Sequence, residues 1–402
     1  VSTERIHLTD SRCFEFEAAV RGVSTRGGRP SLLLDRTAFY AEGGGQLADR
    51  GRLTVGGADV EVVDTQADGD VVHHVLSEAI DVAPGARVVG RLDREHRLAQ
   101  MAEHTAQHML SEAFVRWAGA NTASSRLGER STTIDLDRLD VSPDAIAECE
   151  ERINELVRRD LPVRVHFPSP DALATMTLRS RPKVTDGVRV VEVDGFDWTP
   201  CGGTHCTTTA QVGLVRVVGT EKWGGGLRVR FVAGRHALDD YRTKDVVLGG
   251  LAAKFTCGAT DVPAAIAKMQ AGIKDTQQAL GAARKELVAL IADATLAAHP
   301  PGRTTPILLV RPHDDVATIR ALSVRLSQRP DVLAFVVCRD ADGWLFAARH
   351  GDDVTFDLGG FVRGALSAYE ARGGGRPPAA QGRFAGDPDW AEVRAALEAA
   401  SA

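Results

Sequence analysis

No stretch of eighteen consecutive apolar residues occurs in this 402-residue chain, which leaves no segment suited to cross a bilayer as a helix. The first residues, Val1-Ser-Thr-Glu-Arg-Ile-His-Leu8, lack the apolar block of a secretory signal, so a cytoplasmic location is expected. Cysteine is sparse. Cys13, Cys149, Cys201, Cys206, Cys257 and Cys338 show no disulfide-like rhythm, and in a reducing compartment they stay thiols, free to meet a metal. Charge of one sign is not in great excess, the formal net charge being -6. That argues against indiscriminate adhesion to nucleic acid and leaves room for a local basic surface that binds one RNA. What is present, 44% hydrophobic and 25% charged residues, is the balance of a folded globular protein. The length exceeds one ordinary core, so about two to four domains are expected.

The pattern changes along the chain. Residues 1 to 92 read as β: the short apolar runs Phe14–Val20, Ser31–Asp35 and Val60–Val63 alternate with glycine turns at Gly27-Gly28, Gly43-Gly44-Gly45 and Gly56-Gly57, which predicts a barrel-like or strongly curved sheet. From His96, Leu98, Met101, Thr105, Met109, Ala113 and Trp117 recur at threes and fours, a helical spacing. Ser142-Pro143 opens a second helix, and strands return near 163–167, 188–193 and 213–218. Residues 93–235 therefore read as a mixed domain, and the fold class as α+β. Residues 236–300 read as a helical linker, with Ile273, Leu280 and Leu287 at sevens and Met269 and Leu290 beside the same seam. Such a seam packs on a helix of this chain or of a second copy, so a homodimer through this region is one expectation. His299–Pro306 is a proline-rich connector, and 303–402 reads as a separate α/β domain.

Two short pairs concentrate metal-binding chemistry. In His104-Thr-Ala-Gln-His108 the imidazoles lie four apart on one predicted helix face, and in Cys201-Gly-Gly-Thr-His205 two glycines let thiolate and imidazole turn to one point. Three imidazoles and a thiolate suit tetrahedral Zn²⁺, in a site that is either structural or catalytic. Thr105 follows the first His where the helical zinc-peptidase motif needs Glu, so a peptidase is not expected. A third motif, Thr37-Ala-Phe-Tyr-Ala-Glu-Gly-Gly-Gly-Gln46, ends a predicted strand in a loop whose amides approach a ligand closely. A plain β-turn is the alternative, although Thr37 and Gln46 add polar groups suited to a substrate or water. Arg372-Gly-Gly-Gly-Arg376 pairs phosphate-binding cations with an open backbone. Lys222 and Arg228 flank Gly224-Gly225-Gly226 as a second, weaker basic patch.

These three motifs, in this order, resemble those of the alanyl-tRNA synthetase editing domain and its free-standing AlaX relatives, over roughly residues 1–235. Residues 303–402 resemble the C-terminal domain associated with DHH-family phosphoesterases, through Gly373-Gly-Gly-Arg-Pro377 and Ala380-Gln-Gly382. The combination is similar to the long AlaX type. The resemblance implies hydrolysis, in trans, of the ester joining a wrong amino acid to tRNA, with seryl- or glycyl-tRNA(Ala) as substrate. It implies Zn²⁺ on His104, His108, Cys201 and His205, a pocket lined by Gly43, Gly44, Gly45 and Gln46, and Thr37 sensing the substrate hydroxyl. With no carboxylate clearly placed as general base, a metal-held or substrate-held water is the expected nucleophile. The alternatives are a deacylase for another β-hydroxy amino acid, such as fluorothreonine on tRNA(Thr), and a tRNA-binding module with a structural zinc.

Overall fold

The computed structural model describes residues 2–182, 187–302 and 305–401. Part of the proline-rich connector, at 303 and 304, lies outside the described residues, as does the start of the C-terminal domain expected from 303. The chain is a mixture of α and β elements divided into two compact units, Val1–Leu251 and Ala252–Ala402.

The first unit begins with a closed barrel of six strands: β1 (Glu15–Arg26), β2 (Arg29–Leu34), β3 (Gly51–Val55), β4 (Ala58–Asp68), β5 (Val71–Leu76) and β6 (Arg87–Leu92), arranged β1-β2-β5-β4-β3-β6. Alternation makes it. Phe16, Ala18 and Val20 of β1 point inward to Leu32, Leu53, Val62, Leu76 and Val88, while Glu15 and Glu17 beside them face water. Closure leaves no strand edge open in the barrel. Phe39, from the segment after β2, is fully buried in that interior.

Helix α1 (Arg94–Ala113) follows at once. Asp93 caps it, accepting a hydrogen bond from the His96 amide at 3.1 Å, and neither Gly nor Pro interrupts it. The helix is buried on most of its circumference, with Met101, Ala106, Met109 and Leu110 inaccessible to solvent. Around it pack β7 (Thr122–Leu127), β8 (Thr132–Leu136), α2 (Pro143–Arg158), β9 (Val163–His166), β10 (Val190–Val193), β11 (Asp197–Pro200), β12 (Val215–Trp223) and β13 (Gly226–Ala233). These strands form two antiparallel sheets, β12-β13-β8-β7 and β9-β10-β11. Helix α3 (Gly234–Phe255) comes next in the chain.

In the second unit, α4 (Val262–Ala297) precedes a five-stranded sheet of β14 (Thr305–Val310), β15 (Val332–Asp340), β16 (Gly343–His350), β17 (Arg372–Gly374) and β18 (Ala379–Phe384) in the order β14-β15-β16-β18-β17. Only the β14–β15 pair is parallel, and α5 (Val316–Leu326) makes that crossover. The seam residues Met269, Ile273, Leu280, Leu287 and Leu290 of α4 are all exposed.

A buried ion pair ties α1 to the barrel. Arg97, inaccessible to solvent, points its Nε at both oxygens of Asp49 (3.1 and 3.0 Å) and pairs a second nitrogen with the same carboxylate. It also donates to the Ser11 carbonyl at 2.7 Å and the Ala38 carbonyl at 2.6 Å. Every nitrogen of the guanidinium is satisfied, the condition under which a buried charge is tolerated.

Candidate metal centre and its cavity

His104 and His108 are four apart on α1 and therefore project from one face. Cys201 and His205 stand in the turn that follows β11. The ligand atoms of these four residues lie within 4.8 Å of one another. Cys201 Sγ is 3.5 Å from His104 Nε2 and 3.4 Å from His205 Nε2. Bond lengths of about 2.3 Å to sulfur and 2.0–2.1 Å to nitrogen in a tetrahedron put such edges near 3.6 Å, so the spacing and the donor set both fit a tetrahedral divalent ion.

Each imidazole is aimed by a partner on its other nitrogen. His104 Nδ1–H donates to Gln46 Oε1 at 2.8 Å, and His205 Nδ1–H to the Thr105 hydroxyl at 3.2 Å. His108 Nδ1 faces the buried Asp197 carboxylate at 3.5 Å. Such partners set the tautomer and turn Nε2 toward the centre. Gln46 is held in turn: its amide donates to Thr204 Oγ1 at 2.8 Å and its carbonyl accepts from the Thr204 amide at 3.0 Å. Asp197 is held by Arg179 at 3.0 Å and by the Thr199 hydroxyl at 2.9 Å. Burial by itself would push the Cys201 thiol up, but the three imidazoles around it hold it well below the usual thiol range. That favours the thiolate a metal needs.

The turn is built for closeness. A Cβ on Gly203 would fall 2.2 Å from the His104 ring and 2.7 Å from Gln46 Oε1. Arg189, buried and donating to the carbonyls of Cys201 (2.6 Å), Gly203 (2.9 Å) and Leu8 (2.8 Å), clamps the same turn from behind.

His104, His108 and Cys201 form part of the wall of a cavity of about 610 Å³. Gly43 and Gly44 line it, as do Tyr40, Gln107, Ser124, Ser125 and Arg179. The cluster thus reaches an open, polar space. Gly45 does not line that space: at φ +86°, its Cβ position would meet the Ser125 carbonyl at 2.5 Å, so it is the point where the loop packs on β7.

Of the residues singled out by sequence, the four ligands and Gln46 come together, with Gly43 and Gly44 on the cavity wall. Thr37 is placed elsewhere, fully buried with its hydroxyl 2.7 Å from His74 Nε2 and accepting from the Phe39 amide at 3.1 Å. Lys222 is exposed on the β12–β13 hairpin. Arg228 on the same hairpin is committed to Asp135 (2.6 and 3.0 Å) and lies 3.7 Å over the Trp223 ring. In the second unit Arg372 is exposed on β17, and Arg376 lines a separate cavity of about 320 Å³ with Arg320 and Arg349. Asp197, Thr204 and Arg189 escaped the sequence reading, as did the contact of Thr105 with His205. Two polar residues, Asp197 and Thr199, alternating within a four-residue strand just before Cys201 were the available signal for the first.

Two family models match the chain: tRNA synthetases class II (A) over residues 10–96, and the threonyl and alanyl tRNA synthetase second additional domain over residues 188–229. The first holds the barrel and Gln46, the second Cys201 and His205. The barrel and the turn carrying Cys201 and His205 are thus similar to parts of tRNA synthetases. Among curated relatives, the alanine–tRNA ligase of Parafrankia sp. (strain EAN1pec) is 32% identical over 368 residues, 87% of this chain and 42% of its own. That of Methanothrix thermoacetophila is 30% identical over 413 residues, covering 99% of this chain and 44% of its own. The chain resembles the alanyl-tRNA synthetase editing domain and its AlaX relatives, and it spans less than half the length of these curated relatives. A solved structure, the C-Ala domain of Aquifex aeolicus alanyl-tRNA synthetase, aligns with 24% of this chain and 90% of its own at 22% identity and a TM-score of 0.22.

Proposed function

We propose that this protein is a zinc-dependent hydrolase that cleaves the ester between a wrongly attached amino acid and the 3′ end of tRNA, with seryl- or glycyl-tRNA(Ala) as first candidates. The observation that carries this reading is the His104–His108–Cys201–His205 cluster opening into a polar cavity beside the Gly43-Gly44 loop. A purely structural zinc needs no such opening. Bound there, zinc would supply Lewis acidity toward the ester or its attacking water.

The protein's own groups do the rest. Gln46, Thr105 and Asp197 hold the imidazoles in their metal-binding tautomer. Ser125 and the side-chain carbonyl of Gln107 give the cavity hydrogen-bonding groups for a small polar aminoacyl end, while the Ser124 hydroxyl is taken up by Asp135 at 2.6 Å. Gly43 and Gly44 keep their part of the wall thin enough for the terminal ribose to approach. Thr37 acts on this wall indirectly, by fixing the backbone at Phe39. Lys222, Arg372 and Arg376, in no ion pair with a described residue, would meet tRNA phosphates, whereas Asp135 already takes up the charge of Arg228. The exposed apolar seam on α4 supports self-association, and the chemistry belongs in the cytoplasm beside translation.

The test is release of radiolabelled amino acid from a panel of aminoacyl-tRNAs: seryl, glycyl and alanyl on tRNA(Ala), threonyl and fluorothreonyl on tRNA(Thr). Fast release of serine with alanine spared is the expected result. The second-additional-domain model covers threonyl as well as alanyl enzymes, so preference for the fluorothreonyl ester would redirect the specificity to that substrate. Zinc-loaded protein inert toward every ester would leave a tRNA-binding module with a structural metal.

A further inference from the structure

His7 lies in the short turn Ile6–Leu8, ahead of the barrel and outside every motif described above. It is 3% exposed, and it lines the same cavity as His104, His108 and Cys201 without belonging to the metal cluster. Its ring packs edge-on against Tyr40, with centroids 5.2 Å apart. Among the described residues neither ring nitrogen has a protein partner, and Nδ1 is sealed from solvent. Nε2 is therefore the nitrogen that the cavity reaches.

A buried polar side chain without a partner costs stability, so its retention on a cavity wall points to a group that arrives with a ligand. The proton's position follows from the same energetics. A sealed N–H with no acceptor is the rarer and dearer defect, a sealed lone pair the milder one. The neutral ring therefore carries its hydrogen on Nε2 and presents a donor to the cavity. Burial, with the charges of Arg97 and Arg189 nearby, brings the imidazole down to about 3, so the ring is neutral at pH 7. Positive surroundings and an N–H donor suit an oxygen that gains negative charge.

Resting on the deacylase reading, we propose that His7 is a further catalytic residue, whose Nε2–H hydrogen-bonds the carbonyl oxygen of the aminoacyl ester as it becomes an oxyanion. Water oxygen adds to the carbonyl carbon and the π pair moves to the carbonyl oxygen, where the imidazole holds it without giving up its proton. Collapse re-forms the carbonyl and breaks the bond to the ribose oxygen. One proton of the water ends on that ribose oxygen, and the other stays with the released acid.

Three variants separate this role from packing: His7→Phe removes the donor, His7→Asn places an amide near Nδ1, and His7→Gln places one near Nε2. On zinc-loaded protein, His7→Phe and His7→Asn are expected to lower kcat by roughly 10²–10³-fold, with KM and zinc content unchanged, while His7→Gln recovers most of the loss. Unchanged kcat in His7→Phe, a change in KM alone, or equal losses in all three variants would overturn the assignment. A second measurement does not depend on turnover. In ¹⁵N-histidine-labelled protein, the resonance missing from His7→Phe should show the Nε2-protonated tautomer at pH 7, and a proton on Nδ1 would refute the proposal. Wild-type protein that hydrolyses no ester overturns the deacylase reading and this role with it; active wild type with an equally active His7→Phe overturns this role alone.

Discussion

At the scale of single residues, the candidate metal centre depends on contacts too short to be shared by other side chains. Cys201→Ala removes the only sulfur of the cluster, and the protein should then purify with little zinc by plasma emission; full occupancy would refute the ligand assignment. Gln46 hydrogen-bonds only His104 among the four candidate ligands. Gln46→Ala should leave the fold intact and weaken zinc binding by roughly 10–100-fold, read by competition with a chromophoric chelator. An unchanged affinity would place Gln46 in substrate contact instead. Gly203→Ala tests closeness directly. A methyl 2.2 Å from the His104 ring has to displace an imidazole or the turn, so zinc should be lost in a protein that still folds.

At the scale of elements, the centre is where three separately formed pieces meet: α1, the turn after β11 and the loop before β3. The Arg97–Asp49 pair joins the first to the last. Asp49→Ala strands a fully buried guanidinium and should destabilise the protein by about 3–5 kcal/mol in urea titration. A change below 1 kcal/mol would mean that the Ser11 and Ala38 carbonyls suffice. The β12–β13 hairpin shows the opposite lesson. Arg228 read as a phosphate contact because a charge beside glycines suggests an open surface, yet the antiparallel register of β13 with β8 sets Asp135 directly opposite it.

At the scale of the molecule, stability has a pH signature seated inside the barrel. His74 is inaccessible to solvent, donates from Nδ1 to the Leu32 carbonyl at 3.0 Å and accepts from the Thr37 hydroxyl. Burial lowers its pKa from 6.5 to about 4. The folded state therefore binds this proton less readily than the unfolded one, so the contribution is whole above about 6.5 and disappears as pH falls toward 4. The loss amounts to about 3 kcal/mol once both states are protonated. Thermal melts of wild type and His74→Gln between pH 7 and pH 4 should converge as pH falls; parallel curves would contradict this. Self-association through α4 predicts a dimer by sedimentation that Leu280→Glu converts to monomer.

Much of this was legible in the chain itself because it is local. The period of two in residues 14–20 and the period of three to four after His96 report which side of a strand or helix meets the core, and Ser142 announces a helix start by offering an oxygen to free amides. The spacing H-x-x-x-H and the pair of glycines between Cys201 and Thr204 carried the ligand set for the same reason: four residues make one helical turn, and two glycines permit one tight turn. What only the tertiary structure decided is every relation between residues far apart in the chain. Thr37 and Gln46 share a motif, yet closure of the barrel drew Thr37 into contact with His74 while the loop carried Gln46 to His104. Asp197, Arg189 and His7 reach the site from elements with no motif of their own, because burial leaves polar groups no partner except one another or an incoming ligand.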